Sequence, residues 1–273
     1  KEFEYIFADA KVSLVFASEP LAMKLETTRD IITIGTRDYK NLFLGDYYSD
    51  QNYSLTEEAW IFYTSGTTGT PKGAVLTHQN LLHMCFAYYA DIEFVAQDET
   101  ILHAAPMSHG SGLYGLPFLL KGAQNAVPES GQFDPDLIFD AIKKYKKLSF
   151  FAAPTMIKKL VESRRADENL SNLRTLTYGG GPMYLADCKD ALNVFGPVMY
   201  QLYGQGESPM TITGVSKTMH QEPNREKLDH ILTSVGIART GVEIAVVGSD
   251  GKILPSGGVG EIITKSQCTM SGY

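Results

Sequence analysis

The sequence is poor in the features that mark several protein classes. Of its 273 residues only 3 are Cys and 1 is Trp. Cys85, Cys188 and Cys268 stand far apart and outside any CxxC pattern. They argue against a disulfide framework or a zinc site and read as buried thiols in a reducing compartment. No run of about 18 uninterrupted apolar residues occurs, so no membrane span is expected. Positive charge is short as well. With 24 Lys+Arg against 31 Asp+Glu the net charge is −7, whereas a nucleic-acid partner would call for a basic face. The opening Lys1-Glu-Phe-Glu-Tyr5 has no apolar signal-peptide core and does not start on Met. The chain reads as a piece cut from a longer, cytoplasmic protein.

What is present is globular usage. A hydrophobic share of 44% with 20% charged residues disfavours disorder. At roughly 150 residues per domain the length suits one large or two modest domains. Apolar runs at 12–17 and 31–34 predict buried strands, and further strands are expected at 59–63, 100–105, 148–152, 173–178 and 198–203. Thr77 offers a helix N-cap, followed by Leu81, Leu82, Cys85, Tyr88 and Tyr89 at helical spacing. Asp134-Pro135-Asp136 starts another helix, with the acid as cap and Pro at the first helical position. Its apolar face is predicted to be Leu137, Ile138, Ala141, Ile142 and Tyr145, and Lys143, Lys144, Lys146 and Lys147 read as its solvated end. Further helices are expected over 155–165 and 184–195. This alternation predicts an α/β fold over 1–231, a mostly parallel sheet with covering helices. Short strands with turn chemistry between them predict a small all-β subdomain over 232–273.

In open α/β sheets ligands collect outside the carboxyl ends of the strands. Four segments of unusual composition are expected there: 64–73, 106–115, 179–183 and 203–208. The first, Thr64-Ser-Gly-Thr-Thr-Gly-Thr-Pro-Lys-Gly73, is expected between a buried strand and the capped helix. Its glycines free the backbone to wrap N–H groups and hydroxyls around phosphate oxygens, and Lys72 adds a point charge. It is not a Walker A loop, because Lys72 follows Pro71 and precedes Gly73.

Tyr63-Thr-Ser-Gly-Thr-Thr-Gly-Thr-Pro-Lys-Gly73 resembles, nearly letter for letter, the signature phosphate loop of the adenylate-forming enzymes: acyl-CoA synthetases, adenylation domains of peptide synthetases and firefly luciferase. Ala105-Pro-Met-Ser-His109 is similar to that family's acyl-pocket segment. Tyr178-Gly-Gly-Gly-Pro182 resembles its adenine-facing glycines, Tyr203-Gly-Gln-Gly-Glu207 its YGxTE motif, and Gly260-Glu-Ile-Ile263 with Ser271-Gly272-Tyr273 its GEI…GY stretch. The resemblance spans essentially the whole chain.

It implies ATP-dependent activation of a fatty or aryl acid to an acyl-adenylate, then thioester formation with coenzyme A. Thr64, Ser65, Gly66, Thr67, Thr68, Gly69 and Lys72 would hold the β- and γ-phosphates of ATP. Gly179, Gly180, Gly181, Tyr203 and Gly204 would face the adenosine of ATP or AMP. Glu207 would bind Mg²⁺, and His109 would border the acid, in a pocket bounded also by Gly112, Tyr178 and Gly181. Lys72, Glu207 and His109 are the residues expected to serve catalysis.

The same resemblance implies that a ribose-binding Asp, a hinge and a mobile domain with the catalytic Lys would follow Tyr273. The chain alone is therefore expected to bind nucleotide weakly and not to complete the reaction. It departs from the family at Gly206, where YGxTE has Thr. That departure keeps open a non-catalytic relative that holds nucleotide or an acyl group. An adenylation domain serving a carrier protein also stays open. A serine hydrolase reading of His109-Gly-Ser-Gly112 fails for want of a GxSxG elbow.

Overall fold

A computed structural model describes residues 2–45, 53–64, 69–164 and 168–273. The chain divides into two compact units, residues 1–78 with 271–273, and residues 79–270. The expected boundary at 231/232 is not where these units part.

In the smaller unit, β1 (Leu14–Ala17) and β2 (Asp30–Thr33) form a parallel pair. Farther on, β3 (Glu58–Thr64) pairs antiparallel with β4 (Lys72–Thr77), and Thr64↔Lys72 is the pair nearest the tip. This corrects one expectation. The phosphate-loop motif is expected between a strand and a helix capped at Thr77, with no strand between them, but its last two residues begin a strand, and Thr77 closes that strand immediately before the helix His78–Asp91. On the far side of β4, Val75 donates to Gly272 O and accepts from Ser271 N, each at 2.9 Å.

The larger unit is built on β5 (Thr100–Leu102), β6 (Gln124–Ala126), β7 (Leu148–Ala152), β8 (Leu173–Tyr178), β9 (Met199–Gln205), β10 (Ser208–Val215) and β11 (Ile237–Ala238). They form one seven-stranded sheet in the order β11-β10-β9-β8-β7-β5-β6. The five strands from β6 to β9 are parallel; β10 runs antiparallel to β9 and β11 antiparallel to β10. The expected parallel α/β sheet is therefore present. All five residues of β7 and all eight of β10 are buried, as strands covered on both faces must be. Helices Pro135–Lys144, Pro154–Ser163 and Leu185–Phe195 press Ile138, Ile142, Ile157, Leu160 and Ala191 into one core with Phe150, Leu176 and Met199.

The Asp134 side chain caps the first of these helices by accepting from Asp136 N at 2.9 Å. Its buried face includes Phe139, which the sequence pattern did not mark, while Leu137 is only half-buried. Beyond the sheet, β12 (Glu243–Val247) and β13 (Glu261–Lys265) make an antiparallel pair. Cys85, Cys188 and Cys268 are buried thiols. Burial, with Cys268 adding to it, pushes the Cys85 thiol up to about 12. Among the described residues no helix is long and apolar enough to cross a membrane.

Candidate functional site

Three of the four expected segments lie at one edge of the seven-stranded sheet. Segment 106–115 follows β5, 179–183 follows β8, and 203–208 joins the end of β9 to β10. Since β5, β8 and β9 are parallel, their carboxyl ends share that edge. The fourth segment, 64–73, is instead the tip of the β3–β4 hairpin in the smaller unit.

At the hairpin, Thr64, Gly69 and Lys72 are described; Ser65, Gly66, Thr67 and Thr68 lie outside the described residues. Lys72 is exposed, and its Nζ stands 5.1 Å from the centre of the Tyr273 ring, a cation–π distance. The loop's ends are also tied to the first helix, Glu2–Asp9. Tyr5 donates to Pro71 O at 2.9 Å and Tyr63 to Asp9 Oδ2 at 2.6 Å. Burial and the neighbouring Asp9 carboxylate together hold the Tyr63 phenol above its ordinary value, so it stays a donor.

At the sheet edge, a buried imidazole supports the segment after β5. Asn125 Nδ2 donates to Gly115 O at 3.4 Å, which sets the Asn125 oxygen toward His103 Nε2 at 2.8 Å. The His103 proton therefore sits on Nε2, and Nδ1 accepts from the Ser111 hydroxyl at 3.1 Å. This fixes the short helix Gly110–Leu113, at whose start His109 stands exposed, its Nδ1 2.8 Å from Ser108 Oγ.

A second imidazole supports the glycines after β8. His220 Nδ1 faces the Ser216 carbonyl at 2.8 Å and must donate to it, so Nε2 accepts from Tyr178 O–H at 2.9 Å. Burial lowers the His220 pKa and raises that of Tyr178. The Tyr178 side chain, expected to border the acid, is thus committed to the core, 1% exposed. Gly179 follows it with no room for a side chain: a Cβ there would come within 2.4 Å of Leu202 O. Gly180 and Gly181 are exposed.

At the end of β9, Tyr203 is half-buried and accepts from Gln205 Nε2 at 3.4 Å. Gly206 and Glu207 form the turn into β10, held by Met270 N donating to Glu207 O at 2.8 Å. Two residues before Tyr203, the buried Gln201 carries an Oε1 with no hydrogen-bond partner among the described residues. Leaving such an acceptor unmet costs about 1–3 kcal/mol. Among the described residues no group of three or more His, Cys, Asp or Glu could hold a metal ion. His103 and His220 were not marked in the sequence, because each acquires its role from a partner distant along the chain, Asn125 and Tyr178; Gln201 was not marked either.

Residues 1–273 match the AMP-binding enzyme family over their whole length. The chain belongs to that family. Two curated relatives of this AMP-binding chain are CoA ligases by name. It is 30% identical over 233 residues to the medium/long-chain-fatty-acid–CoA ligase FadD8 of Mycobacterium tuberculosis, covering 85% of this chain and 38% of that protein. It is 32% identical over 227 residues to a feruloyl-CoA synthase of Amycolatopsis sp., covering 82% and 44%. The chain thus spans less than half the length of these two relatives. Among solved structures, an ATP-bound RpMatB-BxBclM chimera (B3) superposes with a TM-score of 0.83 at 25% identity, covering 99% of this chain and 54% of that one.

Proposed function

We propose that the protein containing this chain activates a carboxylic acid with ATP and passes the acyl group to the thiol of coenzyme A. A carboxylate oxygen attacks the α-phosphorus, and the bond to the bridging oxygen breaks to release pyrophosphate. The thiol sulfur then attacks the acyl carbon of the adenylate, AMP leaves and the thiol proton is given up. The observation that carries this reading is the Thr- and Gly-rich segment 64–73, its ends set by the Thr64↔Lys72 pair at the tip of a hairpin. The CoA ligases among the relatives support it.

In this reading, the hydroxyls and N–H groups from Thr64 to Gly69, with Lys72, hold the β- and γ-phosphates. Gly179 to Gly181, Tyr203 and Gly204 face the adenosine. His109 borders the acid. Lys72 at ~4 Å from one phosphate charge gains only about 1 kcal/mol in bulk water, so oriented backbone dipoles must share the task. Glu207 would supply a carboxylate to Mg²⁺, which when bound neutralises phosphate charge and polarises the P–O bonds.

The test is carboxylate-dependent pyrophosphate release by the full-length protein, across a panel of fatty and aryl acids. Thr67→Ala with Thr68→Ala should raise the KM for ATP at least about 10-fold and leave the KM for the acid within about twofold. Equal loss of both would refute the phosphate role. Gly206, in place of the motif's Thr, favours a second reading: a relative that holds nucleotide or an acyl group without turning it over. Nucleotide binding with no pyrophosphate release from any acid would select that one.

A further inference from the structure

Arg239, just after β11, is 4% exposed, and its guanidinium makes four hydrogen bonds. Nε donates to Asp91 Oδ2 at 3.0 Å, Nη2 to Ala87 O at 2.6 Å, and Nη1 to Tyr114 OH at 3.3 Å and Met210 O at 2.6 Å. Asp91 is itself oriented by Thr240, which donates to it from its backbone N at 3.1 Å and from its hydroxyl. The Tyr200 ring lies 5.8 Å from the guanidinium carbon. A charge this deep is costly unless every donor is met, and it is retained here at the end of a two-residue strand.

One of its acceptors is unusual. Met210 has φ +59°, a left-handed conformation that a residue with a side chain rarely adopts, and it does so inside β10. There the ladder breaks register. Ser208 pairs with Gln205 but the next pair is Thr213 with Tyr203, so the residues between bulge out of β10. Arg239 N, donating to Ile212 O at 3.1 Å, and Arg239 Nη1 on Met210 O hold this bulge from the β11 side.

The bulge aims the Met210 side chain at the segment after β5. A Cβ on Gly110, next to His109, would lie 2.7 Å from Met210 Sδ and 3.6 Å from the Phe151 ring. Phe151 is in turn the nearest neighbour of the Cβ position on Gly180, at 3.9 Å. Met210 therefore lies against Gly110, and Phe151 lies near both Gly110 and Gly180, in the segments assigned above to the acid and to the adenosine.

We infer that Arg239 is a positioning residue: by holding the Met210 carbonyl it keeps the bulge in its left-handed form, places the Met210 side chain as a wall of the acyl site, and so sets which acids fit. The inference rests on the proposed acid activation. Loss of the guanidinium frees the bulge, and the wall no longer has one position. Selection among acids is then lost.

The experiment measures kcat and KM for ATP and for each of a panel of straight-chain and aryl acids, using the full-length protein. Arg239→Met should raise the KM of the best acid at least about 10-fold and compress the differences between acids. Met210→Gly keeps the left-handed backbone without strain but removes the wall, and should move preference toward bulkier acids. In that background Arg239→Met should not change the order of acids further, because the two residues act through one element. An Arg239→Met enzyme with the wild-type order of acids overturns the inference. If that variant does not fold, Met210→Gly decides alone, and an unchanged order overturns it. A wild-type protein that releases pyrophosphate with no acid overturns the proposed function and this inference with it. An active wild type with unaltered variants overturns the inference only.

Discussion

The hairpin tip in the smaller unit and the turn after β8 in the larger one both require glycine, for opposite reasons. Gly69 has φ +81°, and a Cβ built there would meet nothing within 4 Å among the described residues. It is demanded by backbone conformation alone. Gly179 has no such φ, yet a Cβ would strike Leu202 O at 2.4 Å. It is demanded by space, because β9 lies hard against the end of β8. The surroundings match: no residue of β3 is fully buried, whereas β7, beside β8, buries all five. One loop is shaped by its own chain and the other by what is packed around it.

The largest effect should come from the packed side. Gly179→Ala must displace a backbone carbonyl in a full core, and should cost about 3 kcal/mol in urea unfolding. A loss below about 1 kcal/mol would show that the β8–β9 ends can part freely, and the contrast would fail. Tyr178→Phe should cost about 2 kcal/mol, since it leaves His220 Nε2 buried without a donor.

The same imidazole predicts a pH dependence. Its folded pKa lies below the unfolded value of about 6.5, so the neutral form is favoured on folding. Its contribution is complete above that unfolded value and is lost as pH falls toward the folded one. Unfolding midpoints measured from neutral to mildly acidic pH should fall. The part of the slope that belongs to this residue should vanish in His220→Gln.

On the hairpin, Gly69→Ala should cost about 1 kcal/mol, the penalty of a left-handed alanine. Introducing Asn there should recover part of it, because Asn tolerates that region. The smallest change belongs to Gly181→Ala, which has open space and ordinary φ. Its stability should stay within about 0.5 kcal/mol of wild type, while the KM for ATP rises as the methyl meets the nucleotide. Unmoved stability together with an unmoved KM would remove Gly181 from the adenosine contact.

Much of the architecture was legible in local pattern. The strands expected at 148–152 and 173–178 coincide with β7 and β8. Asp134-Pro135 marked its helix start correctly, since the cap and the φ restriction are local devices. The strands that escaped notice carry no clear apolar signal of their own. β4 is hidden behind the end of the glycine-rich motif. β10 carries Pro209 and the bulge at Met210, yet is buried throughout by its neighbours. β6 and β11 are two or three residues long. At the sheet edge, the loops could be named from composition, but not the residues that support them. Tyr178 and His220 are 42 positions apart, and Arg239 and Asp91 148.

Composition and motif were enough to assign the α/β class, the family likeness and the loops that could cradle a nucleotide, because each rests on neighbours along the chain: backbone freedom, capping and strand-length apolar runs. Folding added what no window of sequence contains. It placed the motif Lys72 on a hairpin, locked two imidazoles in single tautomers, and put a buried guanidinium beneath a left-handed methionine. Those outcomes depend on burial and on partners that meet only when distant segments close over one core, where an unmet donor or acceptor is too costly to leave alone.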